Sequence, residues 1–491
     1  MMRRYFLISA MGILLGGLVG CINLGPHYQR PDVNIEIPQF YRSDSIKSSA
    51  DAVITDRWWQ DFNDPELNRL VEEVLQHNWD LKQAAARILE ARAQYVQVGA
   101  DRWPQVNFDY DWDQRRFGGV NVGRGRTITT HLVTFMALFE IDLWSRLDKA
   151  ARGAWNEILV DVENRRTIAQ TLVAETINLY LQVEAFERRL QIAAESIAAF
   201  ERSLQFVEIR YRRGLTSALD VRQARRILAG SQTRVPELQQ QLGINQQQLS
   251  ILLGRYPQTQ PPRTQPADYY RQPSPVPTGL ASSLLRQRPD IRAAEMRLQA
   301  LNEQIGSAKA ARFPQITLTG SYGWNADGKD RLFKSDSIIW NFARGVTQPL
   351  VDANRLKARQ RGVEAQYQQA VSGYADTVLN AFAEVEGALL IRQKQLERRQ
   401  REVVFLEEAR ATQRVAQNRY IKGLVQYLDV LDAQQTRFTA EDNLAQVDLS
   451  ILTNRVNLHR ALGGSWAAPQ PIVLQRDGYF FDFETPDTMV P

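Results

Sequence analysis

One very long stretch of this chain can form a single uninterrupted helix, and this feature constrains the fold more than any other. From Ser145 to Arg210 the sequence contains no Pro and only one Gly. At 1.5 Å per residue, ~65 residues make a helical rod of roughly 100 Å. Apolar residues along its second half recur in steps of three and four, as in a coiled coil: Leu179, Val183, Phe186, Leu190, Ala193, Ile197, Phe200, Leu204, Val207 and Tyr211. Ordinary globular domains do not need such a rod, so the pattern indicates an elongated, coiled architecture.

The rod and the turn that ends it occur twice in the sequence. The segment Arg210–Leu215, followed by Leu219–Val221, recurs as Arg419–Leu424 followed by Leu428–Val430. The Gly inside each copy breaks the helix, and a returning helix follows it. Each half of the chain therefore predicts an antiparallel helical hairpin with its tip near residue 214 or 423. Between the halves, residues 257–277 hold seven of the 20 prolines and cannot form a regular helix.

Each half also contains two candidate strands, which precede its long helix. In the first half, apolar residues at 106, 108, 110 and 112 alternate with Asn107, Asp109, Asp111 and Asp113, and residues 315–325 of the second half alternate in the same way. A period of two predicts strands with one apolar and one polar face, in hairpins at 105–139 and 315–347. A helix that begins at Asp64-Pro65 and runs to about Ala100 precedes the first hairpin.

Four strands per chain pose a problem of closure. They cannot form a barrel alone, and lipid does not tolerate an open sheet edge. A membrane barrel would therefore need eight strands from two chains or twelve from three. The alternative is a pair of soluble hairpins that cap a helical stalk.

The first residues resemble a bacterial lipoprotein signal. Arg3-Arg4 precedes a short apolar core, and Leu18-Val19-Gly20-Cys21 closes it in the manner of a lipobox. We expect residues 1–20 to be removed and Cys21 to be lipidated, which makes a firm anchor when several acyl chains are attached. Ile22 follows the Cys, and sorting rules for similar lipoproteins send a chain without Asp at that place to the outer membrane. The alternative is an ordinary signal in which Cys21 happens to lie near the cleavage site.

Composition indicates neither an enzyme nor a nucleic-acid-binding protein. The formal charge is +5, and two of the positive charges lie in residues 1–20, which carry no acid. One Cys and four His are too few for a disulfide framework or a recognisable zinc motif, and no Walker loop or nucleophile elbow occurs. Glu384 and Glu386 are two residues apart on a helix, so they face different directions and make a poor acid–base pair. We expect no catalytic residue, metal or cofactor.

Short motifs along nearly the whole chain are similar to those of the outer membrane efflux protein family, the TolC-like channels. They occur in the expected order and spacing: Gly25–Tyr28 with Arg30-Pro31, Trp58-Trp59 with Phe62 and Asp64-Pro65, Gln287–Ile291 with Ala294-Glu295, Phe313-Pro314, Pro349-Leu350, Ala381-Phe382 with Glu384–Glu386, Tyr427–Ala433, and Ala461–Gly464 with Trp466. Within that family the chain resembles the lipoprotein branch of OprM and NodT.

The resemblance implies an α+β fold with two internal structural repeats. Three chains would form an outer-membrane β-barrel of twelve strands, four from each chain, continued by a long α-helical coiled-coil barrel in the periplasm. It implies a homotrimer that contacts outer-membrane lipid, a periplasmic membrane-fusion adaptor and an inner-membrane pump of the RND, MFS or ABC type. The expected function is a passive exit duct for drugs or other small molecules.

These patterns together predict how the chain is divided into segments. It comprises a signal peptide at 1–20, a lipid-anchored segment at 21–63, a first repeat at 64–256, a Pro-rich connector at 257–279, a second repeat at 280–465 and a C-terminal tail at 466–491.

The resemblance also assigns roles at the hairpin tips. It implies a periplasmic gate with aspartate rings at Asp429 and Asp432, and a constraint between Tyr420 and Asp220. The alternative is that Asp220 and Asp429 only start the returning helices, since charge in a first turn is common. Some family members carry an Arg where this chain has Val425, so a salt bridge made there by others is absent or replaced. The adaptor is expected to contact the tips: Gly214, Leu215, Thr216 and Ser217 on the first, and Gly423, Leu424 and Val425 on the second.

Two other functions compete with the duct. A coiled-coil lipoprotein that spaces or tethers the outer membrane without a pore would explain Cys21 and the heptads, but not the duplicated alternating segments. An envelope hydrolase would need a catalytic constellation that the sequence does not offer.

Overall fold

The computed structural model describes residues 24–32, 35–43, 57–118, 126–259, 276–278 and 281–464. The expected signal peptide at 1–20, the expected lipidation site Cys21 and the tail at 466–491 lie outside these residues. Most of the connector at 257–279 does so too.

Within the described residues, each half contains two helices, two strands, a very long helix and a shorter returning helix. In the first half these are α1 (Pro65–His77), α2 (Trp79–Ala100), β1 (Gln105–Phe117), β2 (Arg126–Ile141), α3 (Arg146–Arg212) and α4 (Ala218–Leu252). In the second half they are α5 (Leu284–Gln287), α6 (Pro289–Ala310), β3 (Gln315–Ala326), β4 (Ile338–Thr347), α7 (Arg355–Ile421) and α8 (Tyr427–Ala461). The long helices α3 and α7 have 67 residues each, which confirms the predicted rods.

The helix predicted from Asp64 to about Ala100 is in fact two helices. The break lies at Asn78, whose extended backbone ends α1. The Asn78 Oδ1 atom accepts hydrogen bonds from the backbone N–H groups of Asp80, at 2.8 Å, and Leu81, at 3.3 Å. Its Nδ2 donates to the carbonyl of Leu252 at 3.0 Å. Asn therefore caps the start of α2 and anchors the break, an effect that apolar periodicity does not reveal.

The four strands form one antiparallel sheet in the order β1-β2-β3-β4. Its register aligns one row of aromatic residues across all four strands: Phe108, Phe135, Tyr322 and Trp340. All four side chains are exposed. The predicted apolar positions of both halves thus lie on the same face of the sheet, and Asp109, Asp111 and Asp113 lie on the other. The outer edges of β1 and β4 pair with no strand among the described residues.

Two compact units make up the described chain, and each takes segments from both halves. The unit that holds the sheet comprises residues 86–163 and 293–376 with the described part of 24–32. Residues 35–43, 57–85, 164–292 and 377–464, where described, make up the other unit. The latter contains the ends of both hairpins and a core in which Trp58 and Trp59 pack against α1 and α3. None of the described helices is long and apolar enough to cross a membrane.

Candidate gate at the hairpin tips

The two hairpin turns have the same backbone structure. We call residues 213–217 the first tip and residues 422–426 the second tip. Gly214 and Gly423 have φ angles of 71° and 73°. In each turn the residue after the Gly donates its N–H to a carbonyl five residues back, at 2.9 Å. A Cβ at either Gly would meet nothing within 4 Å, so the left-handed backbone, and not lack of space, requires Gly here.

Asp220 caps the start of α4. Its backbone N–H donates to Ser217 Oγ at 3.2 Å, and its Oδ2 accepts from the Ser217 N–H at 3.1 Å. The Thr216 hydroxyl donates to the same Oδ2. Partial burial alone would raise the pKa of Asp220, but the hydrogen bonds from Thr216 and Ser217 outweigh it and hold this pKa below its ordinary value. This carboxylate therefore acts as a helix cap, the alternative that the sequence left open.

The acids of the second tip are less engaged. Asp429 accepts a hydrogen bond from the backbone N–H of Gln426 at 3.0 Å. Asp429 and Asp432 are exposed and three residues apart, which places them on one side of α8. Buried neighbours, Val430 among them, occupy the other side. Both carboxylates are thus free to face an aqueous space.

A hydrophobic cluster lies between the four hairpin helices close to the tips, and we call it the tip core. It consists of Val207, Val221, Ala224, Ala416, Tyr420, Tyr427, Val430, Leu431 and Ala433. Because α3, α4, α7 and α8 all contribute, the cluster holds the two hairpins together near their ends.

Tyr420 lies in the tip core, and within this chain its hydroxyl forms no hydrogen bond with Asp220. Its hydroxyl is buried and has no hydrogen-bond partner among the described residues. Its ring packs instead against Tyr427, with centroids 5.4 Å apart, and the Arg210 guanidinium lies 5.1 Å from the ring centroid. The structure therefore uses Tyr420 as an aromatic packing residue within the chain.

Tyr427 makes a polar contact that sequence reasoning missed. Its hydroxyl shares a hydrogen bond of 2.9 Å with Ser203 Oγ, which joins α8 to α3. Tyr427 is only 2% exposed. Burial raises its pKa to about 12, with smaller contributions from Tyr420 and Asp220, against the opposing effect of the hydrogen bond with Ser203.

Two further contacts join α3 to α8 farther from the tips. Arg189 forms a bidentate ion pair with Asp442, at 2.7 and 3.1 Å. Phe200 and Phe438 pack edge to face with ring centroids 5.6 Å apart. The heptad pattern predicts that α3 has a packing face, but nothing local in the sequence pairs these residues.

The remaining tip residues differ in exposure. Leu215 and Leu424 are both exposed, at about the same position in each turn. Thr216 and Ser217 are used in the cap described above, and Val425 packs against the tip core. Each tip thus offers one exposed leucine beside its Gly. The described part of the chain holds no group of three or more side chains placed to bind a metal ion.

Comparison with known proteins identifies the family. The sequence model described as Outer membrane efflux protein matches residues 70–255 and 280–464. The chain belongs to this family.

Individual members of the outer membrane efflux protein family are similar over most of their length. The pyoverdine export outer membrane protein OpmQ of Pseudomonas putida is 34% identical over 448 residues, which cover 90% of this chain and 94% of OpmQ. The cation efflux system protein CusC of Escherichia coli K12 is 32% identical over 449 residues, covering 91% and 97%. The solved outer-membrane channel OprN superposes with a TM-score of 0.85 at 29% identity and covers 90% of this chain and 99% of OprN. The chain therefore has the fold of TolC-like outer-membrane efflux channels.

Proposed function

We propose that three copies of this chain close their sheets into a twelve-stranded barrel and form the exit duct of a tripartite efflux system. The observation that carries the proposal is a four-stranded sheet with two unpaired edges and an exposed aromatic row. A sheet edge is not tolerated in lipid, so a membrane-embedded sheet must pair β4 of one copy with β1 of the next. The strands have 10 to 16 residues, enough for the ~9–11 residues that a spanning strand needs.

The two faces of the sheet suit a water-filled barrel. The row from Phe108 to Trp340 would face lipid, where aromatic residues are enriched at the membrane–water interfaces. Asp109, Asp111 and Asp113 on the opposite face would line the lumen. A soluble stalk would give no reason for so many exposed aromatic side chains on one face.

The long hairpins would continue the duct as a helical tube, in which the two halves act as structural repeats. The repeated element order and the matching tip turns support this repeat. Three copies of Asp429 and Asp432 would place six carboxylates at the end formed by the second tips. Such a ring attracts cations and repels anions, and it would form the periplasmic gate of a passive channel.

Membership of the family supports the proposed partners and location. Cys21 would carry the lipid anchor in the outer membrane, and the tube would extend into the periplasm. The exposed Leu215 and Leu424 would contact a periplasmic adaptor, which couples the duct to an inner-membrane pump. The duct would pass drugs or other small molecules that the pump selects.

Single-channel conductance of the detergent-extracted protein in a planar bilayer tests this function. The wild-type chain is compared with an Asp429→Ala/Asp432→Ala variant. A Glu407→Ala/Glu408→Ala variant is the control, because it also removes two exposed carboxylates from the second hairpin. We expect small cation-selective steps from the wild type and the control, and larger or less selective steps from the gate variant. The absence of steps from all three proteins, each present as a folded trimer, would favour the non-porous spacer.

A further inference from the structure

A hydrogen bond beside the tip core joins the two hairpins. Ser203 lies on α3 of the first hairpin, and Tyr427 lies in the first turn of α8 in the second. Their hydroxyls are 2.9 Å apart. Water has little access to this contact, because Tyr427 is 2% exposed. A buried phenol that loses its partner keeps the full cost of desolvation, so the contact favours a closed tip core.

Tyr420 provides a comparison within the same cluster. It is also buried, at 7% exposure, and its ring packs 5.4 Å from that of Tyr427. Its hydroxyl, however, has no hydrogen-bond partner in the described chain. Removing this hydroxyl therefore breaks no hydrogen bond within the described residues, whereas removing that of Tyr427 breaks the link to Ser203.

Asp220 is not available to replace the link. Its Oδ2 accepts from the Thr216 hydroxyl and from the backbone of Ser217, both within the first tip. Movement of Asp220 toward another partner would uncap α4. The second tip is thus joined to α3 by a different pair from the one that the family resemblance implies.

We propose that the Ser203–Tyr427 hydrogen bond is the latch that holds the second tip against α3, and that Tyr420 and Asp220 serve packing and capping. This inference rests on the proposed function, because it assigns the contact that must break when the gate opens. Both latch residues act by positioning the tip and not by contact with cargo.

The ion pair between Arg189 and Asp442 would keep α3 and α8 joined when the latch breaks. Asp442 lies 15 residues beyond Tyr427 on α8 (residue 427 to residue 442), or roughly 22 Å along the helix at 1.5 Å per residue. Breaking the latch would release the end of the second hairpin while the bidentate pair still joins α3 to α8. The expected motion is therefore a local opening of the tip and not separation of the hairpins.

A double-mutant cycle on the full chain tests the latch. The variants are Tyr427→Phe, Ser203→Ala and the double variant, with Tyr420→Phe as the matched control. Loss of one neutral hydrogen bond shifts an equilibrium by about two- to tenfold. We expect shifts of this size in the ratio of open to closed channel for both single variants. Ser203→Ala should have the larger effect, because it leaves the Tyr427 hydroxyl buried without a partner. The double variant should add little to the single variants. Tyr420→Phe should not shift the ratio toward the open channel, because it removes a buried hydroxyl that has no hydrogen-bond partner among the described residues.

Hydrogen–deuterium exchange of the same proteins provides a readout that does not require conduction. Amides near Ser203 and in the first turns of α8 should exchange faster by a similar factor in the latch variants. Amides near Arg189 should remain unchanged, which a general loss of stability would not allow.

The outcomes distinguish failure of the latch proposal from failure of the duct proposal. Additive effects of the two single variants would overturn the latch, as would an effect of Tyr420→Phe equal to that of Tyr427→Phe. Conducting channels with unchanged gating and exchange in the latch variants would leave the duct in place and refute the latch. Faster, non-additive tip exchange in a protein without conductance would support the latch as a contact and refute the duct.

Discussion

The two hairpin tips share a backbone and differ in their side chains. Both turns place a Gly at φ near 70°, and both close with the same two backbone hydrogen bonds. The first tip caps its returning helix with Ser217, and Asp220 accepts two further hydrogen bonds there. The second tip has Gln426 at the corresponding position, and Asp429 remains exposed. The comparison teaches that both turns have the Gly that their backbone requires, whereas the two equivalent Asp residues differ in their side-chain contacts: both accept the N–H of the N-cap residue, and Asp220 also accepts from Thr216.

The largest expected difference between the tips concerns ion selectivity. Asp429→Ala should reduce the preference for cations several-fold, since it removes three carboxylates from the proposed mouth. Asp220→Ala should leave selectivity unchanged, because that carboxylate is held by Thr216 and Ser217. Reversal potentials in a salt gradient measure both variants. Equal shifts would mean that the two aspartates face the same aqueous path.

Replacing the tip glycines should affect both tips equally. Gly214→Ala and Gly423→Ala each force a Cβ into a left-handed conformation, which costs about 1–2 kcal/mol. Both sites have room for the methyl group, so no clash adds to this cost. Amide exchange at each tip measures the local stability. A clearly larger effect at one tip would show that the two turns are not equivalent.

Exchanging the N-cap residues should make the stability of the second tip more similar to that of the first. Gln426→Ser supplies a good N-cap to α8 and should stabilise its first turn by roughly 0.5–1 kcal/mol. Ser217→Gln, the reverse change, should destabilise the first turn of α4 by a similar amount. Amide exchange in the two first turns provides the measurement. A Gln426→Ser variant with faster exchange at the second tip would contradict the capping difference.

The smallest expected difference is a response to acid. The pKa of Asp220 is lower in the folded chain than its ordinary value of 3.8. Its capping stabilisation is therefore complete above pH 3.8 and is lost as the pH falls through the lower folded value. Amide exchange at the first tip, corrected for the intrinsic rate, should rise in this range. Asp220→Asn should abolish the change, and a pH-independent difference between the two proteins would contradict it.

Local patterns in the sequence predicted most of the fold. Uninterrupted helix-forming stretches gave α3 and α7, the duplicated Gly gave both tips, and strict alternation gave the faces of the sheet. The break at Asn78 was missed because a single capping residue overrides the apolar periodicity on either side. In each case a local signal of a few residues decided the local structure.

Contacts between distant parts of the chain could not be predicted in this way. Ser203 and Tyr427 are separated by 224 residues, and Arg189 and Asp442 by 253. A Ser in a long helix and a Tyr beside a tip have many possible partners, and only the packing of α3 against α8 selects these. The family resemblance therefore suggested a gate at the tips, but no local pattern predicted the contacts that join α3 to α8 there.

Block by a thiophilic cation tests most directly whether the second tip forms the gate of a trimeric pore. Asp432→Cys would place three thiols at the proposed mouth, and Asp220→Cys places them at the first tip. The wild type controls for Cys21, the one Cys of the sequence. We predict that Cd²⁺ added to a planar bilayer blocks conductance of Asp432→Cys and leaves Asp220→Cys and the wild type conducting. Conduction by Asp432→Cys that Cd²⁺ does not change, or equal block of Asp220→Cys, would contradict a gate at the second tip.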